Sequence, residues 1–255
     1  IDSAGTLYAL DADGTTLFSK SLGGAVTRIP PVVTSTQILA LTDSGTLVAY
    51  DHGGTKKLDQ PAGGTPIGPP VVGADGTIYV SSITELRALK PDGSTRWSVG
   101  RTAHGSVAID PQSGTIYAVL DSDLYSVDPQ TGQETLRFTI PGTAGDFTPL
   151  LAGDLIHVVD GTKLLAINKT SWQLDGSYSA SEGLLDCIRF PKQTGRIYVH
   201  GEHVMVGLNA DLSEAWKLTG LDINGSCAAF GDAPNRLYVG TLQKQLYAIN
   251  LLAAP

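Results

Sequence analysis

Three short stretches hold residue types that could do chemistry at close spacing. His200-Gly-Glu-His203 puts two imidazoles and a carboxylate within four positions, donors that suit a zinc ion. No third ligand follows at a spacing typical of zinc sites, so a solvated turn is the simpler reading and we expect no metal there. Asp11-Ala-Asp13-Gly14 opens like a calcium loop but lacks the later acidic ligands and the distal Glu, and Asp-Gly is equally a hairpin turn. Cys187 and Cys227 either bridge, if their Cα atoms come within about 7 Å, or pack as two small buried thiols. Ser, His and Asp are all present, yet no nucleophile-elbow pattern occurs and no Gly-rich stretch opens a helix to cradle phosphate. His104, in Arg101-Thr-Ala-His104-Gly, stands alone. No catalytic residue is named from these patterns.

The element that must position any of these side chains is a repeat. A five-residue pattern returns seven times: Leu7-Tyr-Ala-Leu-Asp11, Leu47-Val-Ala-Tyr-Asp51, Leu86-Arg-Ala-Leu-Lys90, Leu124-Tyr-Ser-Val-Asp128, Leu164-Leu-Ala-Ile-Asn168, Met205-Val-Gly-Leu-Asn209 and Leu246-Tyr-Ala-Ile-Asn250, at intervals of 38 to 41 residues. Its centre is always small (Ala9, Ala49, Ala88, Ser126, Ala166, Gly207, Ala248), which would let a neighbouring sheet come close. A β-branched and aromatic run precedes each of the last six copies, as in Ile78-Tyr-Val-Ser and Ile116-Tyr-Ala-Val. Further upstream lies a short apolar element, such as Pro31-Val-Val or Pro70-Val-Val, expected as a strand buried on both faces. After the five-residue pattern come a turn and a bulky apolar residue four positions on: Phe18, Leu58, Trp97, Leu136 and Trp216.

Four short strands per repeat, with no helical periodicity, predict an all-β chain: a β-propeller of four-stranded antiparallel blades. With the strands of a blade labelled A to D from the inside out, the order reads C-D, then A-B-C-D five times, then A-B-C. Six innermost strands favour six blades, with seven possible, and a ring closed by pairing of the N- and C-terminal strands. One C strand is then surplus, because residues 6–11 and 245–250 compete for one slot. We read residues 1–255 as a single propeller domain. The first residue, Ile1, and the surplus strand lead us to expect that it was cut from a longer polypeptide.

Composition narrows the partners. The 255 residues carry 17 Lys and Arg against 25 Asp and Glu, a formal charge of -8, with no basic stretch. Nucleic acid and anionic membrane surfaces are bound through clustered cations, so neither is expected as a partner. No apolar run approaches the roughly 20 residues that span a bilayer.

The signature Gly-x-(Ile/Leu/Val)-Tyr-(Ala/Val), followed by Leu-Tyr-Ala-Leu-Asp-x-x-Thr-Gly-x-x-x-Trp, resembles the repeat of PQQ-like (quinoprotein-dehydrogenase-like) propellers. It is clearest from Gly76 to Trp97 and from Gly114 to Leu136. The resemblance implies Trp97 and Trp216 docked between blades. Its dehydrogenase members are much longer, carry adjacent cysteines over the quinone and hold Ca²⁺ through Asp, Glu and Asn; this chain has no Cys-Cys pair. The resemblance therefore points to the cofactor-free scaffold members, with PQQ and Ca²⁺ as the alternative. It implies an extracytoplasmic (periplasmic, cell-surface or secreted) protein that binds a protein partner. The runner-up is a small-ligand-binding or quinone-dependent propeller with its site at the channel mouth. In either case the expected binding face carries the D–A and B–C loops, with Arg28, Arg101, His104, Asp146, Asp186 and Asp222 as candidate contacts. Carboxylates, including Asp43, Asp121 and Asp160, dominate that face on the sequence reading.

Overall fold

The computed structural model describes residues 1–26, 29–145, 147–180, 188–189, 195–201, 203–220, 222–223, 229–230, 236–241 and 245–250. Those residues are all-β and contain no helix, so none is long and apolar enough to cross a membrane. The chain divides into two compact units, Ile1–Arg137 and Phe138–Pro255.

In the first unit, β1 (Thr6–Leu10) pairs antiparallel with β2 (Thr16–Ser21) as a two-stranded sheet. A four-stranded sheet follows in chain order, with β3 (Val32–Val33), β4 (Gln37–Leu41), β5 (Thr46–Asp51) and β6 (Lys56–Pro61). The next holds β7 (Val71–Val72), β8 (Ile78–Ser81), β9 (Leu86–Leu89) and β10 (Thr95–Val99). A third comprises β11 (Ala108–Ile109), β12 (Ile116–Leu120), β13 (Asp123–Val127) and β14 (Glu134–Thr139), the last reaching the unit boundary.

The second unit repeats the plan. One sheet has β15 (Leu150–Ala152), β16 (Leu155–Asp160), β17 (Lys163–Asn168) and β18 (Leu174–Ser179). Another has β19 (Ile188–Arg189), β20 (Ile197–His200), β21 (Val204–Leu208) and β22 (Glu214–Thr219). A three-stranded sheet of β23 (Ala229–Phe230), β24 (Arg236–Gly240) and β25 (Leu246–Asn250) ends it. The predicted strand order is thus present throughout. Both C strands that compete for one slot are formed, β1 paired with β2 and β25 with β24.

Side chains alternate between the two faces of the B strands, and on β8 and β20 both faces are dry. Ile78 and Val80 on β8 pack with Leu39, Leu41 and Leu47, whereas Tyr79 between them packs with Trp97, Val107 and Ile116. The same division holds in the second unit, where Ile197 and Val199 meet Val159 and Leu164 while Tyr198 meets Trp216, Leu237 and Val239. Within each unit, adjacent sheets therefore shield one another. Innermost strands β3, β7 and β11 depart from expectation: they are half-buried or exposed rather than enclosed, and Val33 is 65% exposed. Each of them, like β15, pairs over only two or three residues and with one neighbour in its sheet.

The small residue at the centre of the repeat has a more local role than expected. It makes room for the D-strand side chain of its own sheet. Trp97 is registered opposite Ala88, Trp216 opposite Gly207 and Leu58 opposite Ala49. A Cβ on Gly207 would lie 2.5 Å from the Trp216 ring. A bulge beside the small residue recurs in these three pairs and in β1–β2 and β17–β18, turning the D-strand side chain inward. Trp97 then reaches the next sheet, where its Nε1 donates to the Pro129 carbonyl at 3.0 Å and its ring lies over Gly132. Leu136 was expected in the same role but is 50% exposed. Arg137 points inward instead, its Nε donating to Ser126 Oγ at 2.8 Å, because the hydroxyl at this one centre offers an acceptor that Ala or Gly cannot.

Candidate interaction rim

The D–A and B–C loops lie together within each unit, held by a repeated backbone bond. The amide of a B–C turn residue donates to a D–A loop carbonyl: Asp43 to Ala25 at 2.8 Å, Ile83 to Thr65 at 3.1 Å, Asp121 to Thr102 at 2.8 Å and Gly161 to Thr143 at 2.8 Å. Short β-bridges reinforce the contact between Pro66 and Ser82, Ala103 and Leu120, and Ala144 and Asp160. The polar backbone of these loops is thus satisfied by neighbouring loops as well as by solvent.

The best-defined part of the rim is the loop after β10. Arg101 donates from Nε to Glu134 at 3.0 Å and from Nη1 to Asp121 at 2.8 Å, and its guanidinium lies 5.0 Å from the centre of the Tyr125 ring. The hydrogen bonds it donates, to Glu134 first and then to Asp121, stabilise its charged form and push its pKa upward. Thr102 donates its amide to Asp121 and its hydroxyl to the Ile83 carbonyl. His104, half-buried in the same loop, donates its backbone amide to Val119 at 2.9 Å. The B–C turn beneath carries positive φ at both Asp121 (47°) and Ser122 (74°), the conformation of a two-residue hairpin turn, here adopted without glycine. Arg101 therefore fastens the loop to a strained turn.

Of the other candidate contacts, Asp222 lies half-buried in the segment after β22. Arg28, Asp146, Asp186 and both cysteines, Cys187 and Cys227, fall outside the described residues. Arg101 and His104 share one loop. Sequence reasoning missed Glu134, 33 positions from Arg101, because no short-range pattern announces the pair. It also missed the ion pair at 2.7 Å between Arg87 on β9 and Glu85 in the turn just before that strand.

Among the described residues, carboxylates also stand at the opposite end of the sheets, where they build turns. Asp51, Asp92, Asp128 and Asp211 each accept backbone amides of their own C–D turn. Hydrogen bonds from Thr55, Ser94, Thr131 and Ser213, respectively, hold these four below the usual carboxylate value. Asp11 makes the same turn, accepting the amides of Asp13 and Thr15, so the calcium-like stretch is a hairpin. His200 is buried and His203 exposed, so the two imidazoles face different surroundings. Among the described residues no three of His, Cys, Asp and Glu lie together as a metal site.

Comparison with known proteins supplies the family. A family model described as outer membrane protein assembly factor BamB matches residues 3–146 and again residues 85–229, two overlapping registers set about two repeats apart. The chain belongs to the BamB family. It is a PQQ-like repeat β-propeller. The crystal structure of BamB from Moraxella catarrhalis superposes with a TM-score of 0.75 at 17% identity, covering 96% of this chain and 76% of that one. The computationally designed Ika8 protein gives a TM-score of 0.78 at 12% identity, covering 97% and 78%. The dihydro-heme d1 dehydrogenase NirN, solved in complex with DHE, gives 0.80 at 12% identity; this BamB-family chain spans 59% of it. Comparison with curated protein sequences finds no match.

Among the described residues of this BamB-family chain, Asp51, Asp121 and Asp128 are engaged in turns and loop tethers, and no carboxylate is gathered with two other such donors as the Ca²⁺ of some PQQ-like propellers would need.

Proposed function

We propose that this chain is a non-enzymatic, extracytoplasmic scaffold that binds another protein through the loops at the D–A and B–C end of its sheets. The observation that carries the reading is the repeated tether of D–A loop to B–C turn in a chain of the BamB family. Loops already fixed in place lose little conformational entropy when a partner docks, which favours a broad protein surface over a flexible lid. The family description, an outer membrane protein assembly factor, supports both a protein partner and an extracytoplasmic location. A small-ligand or quinone-dependent site at the channel mouth is the second reading, favoured by the shared fold with NirN, which was solved with a ligand bound.

Site-specific photo-crosslinking in the native host separates the two. A crosslinker at Ser44 or Ser122, on B–C turns, is expected to give a discrete protein adduct; one at Gln112 or Gln130, at the other end, is expected to give none. Adducts equally frequent at both ends, or no adduct together with a saturable rise of several degrees in Tm on adding PQQ and Ca²⁺, would overturn the scaffold reading.

A further inference from the structure

We propose that His157 is an acid-sensing latch: its protonation raises the population of an opened β15–β18 sheet. The repeat explains why the site is unusual. A row of registered residues, one per strand, runs across a four-stranded sheet, and in β7–β10 it reads Val71, Tyr79, Ala88, Trp97. In β15–β18 the row is Leu150, His157, Ala166, Gly176. The imidazole thus stands where other sheets carry Tyr79, Tyr117 or Tyr198, beside a strand that supplies no tryptophan to cover it.

His157 is fully buried, and neither ring nitrogen makes a hydrogen bond of proper geometry. Its neighbours on the same face of β16 are Leu155 and Val159, which belong to the layer shared with Ile197, Val199, Val206 and Leu212. The described titratable groups on the elements around it are engaged elsewhere or sit at strand ends. Asp160 and Lys163 flank the β16–β17 turn, Asp154 precedes β16 and Asp175 lies on β18. Tyr178 on β18 donates toward Glu214 on β22 at 3.4 Å, and Asp211 accepts from Ser213. Among the described residues no carboxylate acts on the ring. The Leu150 carbonyl favours the charged ring weakly; burial dominates and pushes the pKa down to about 4.

The sign follows from linkage. The folded imidazole resists protonation until about pH 4, whereas an exposed one takes a proton near 6.5. Between those values the opened state binds more protons, so the closed sheet is fully favoured at neutral pH and weakens as pH falls. The opening equilibrium of β15–β18 should rise roughly 20-fold between pH 7 and pH 5.

Two measurements on the wild-type chain test this. The His157 imidazole resonances should stay those of a neutral ring through pH 5.5. Hydrogen exchange, corrected for intrinsic rate, should show the rise at Val158 and Ala166 but not at Val80 and Ala88. A His157→Leu variant, with the residue that Leu39 supplies at the same row position, should lose the acid response. An imidazole titrating near 6.5 in the folded chain, or an equal acid response in His157→Leu, would overturn the proposal.

Discussion

The Trp97 layer of the first unit and the Gly176 layer of the second meet one requirement in opposite ways. In the first, a large D-strand side chain lies over a glycine of the next C–D turn: a Cβ on Gly132 would fall 2.7 Å from Trp97 Cδ2. In the second, the D-strand residue is Gly176 and the turn supplies the bulk. Leu212 holds φ at 65°, where the corresponding turns of the first unit use Gly14, Gly54, Gly93 and Gly132, and is 4% exposed. A Cβ on Gly176 would meet Leu212 Cδ1 at 3.9 Å, so the leucine has grown into the tryptophan's place. Volume between neighbouring sheets is conserved while its donor switches. Left-handed backbone for a branched residue costs about 1–2 kcal/mol, which burial of the leucine offsets.

The largest way to break this comparison is Trp97→Ala, which leaves a void between two sheets and should cost about 3–5 kcal/mol by urea denaturation. Leu212→Ala should cost about 2–4 kcal/mol, less because the void is smaller, since alanine carries the same left-handed backbone strain as leucine. Trp97→Ala acting on the first unit and Leu212→Ala on the second should be resolved by hydrogen exchange as losses in different sheets.

Much of this was legible in the sequence. The order of strands follows from the Leu-x-Ala-x-Asp spacing together with the apolar runs before it and the turn after it, and Trp97 is visible as the bulky residue four positions past Gly93. Three features were not. Leu212 hides because leucine at a turn violates the local rule that its tertiary contacts override. Arg137 displaces Leu136 because a single hydroxyl, Ser126, changes what the centre of the sheet can accept. The rim tether joins Arg101 to Asp121 and Glu134 across 20 and 33 positions, and only the fold brings them together.

Smaller effects sharpen the contrast through pH. The turn aspartates Asp51, Asp92, Asp128 and Asp211 have folded pKa values below the usual 3.8, so their stabilisation is present above that value and lost as pH falls through the lower folded one. Their loss should appear only below about pH 4, in both units, whereas any loss from His157 lies above that window and in the second unit. Denaturation midpoints taken at half-unit steps should therefore fall in two stages. Smallest of all is Arg101→Gln, which should leave the midpoint nearly unchanged yet speed amide exchange at Thr102 and Asp121, because the ion pairs are partly solvated.

A double-mutant cycle between Trp97 and Gly132 measures the packing of one repeat on the next most directly. Trp97→Gly and Gly132→Leu should each destabilise alone, and the double variant, which copies the Gly176–Leu212 arrangement, should recover about 1–3 kcal/mol relative to their sum. Strict additivity would mean that Trp97 and Gly132 do not share a layer, and the picture of sheets shielding one another would fail.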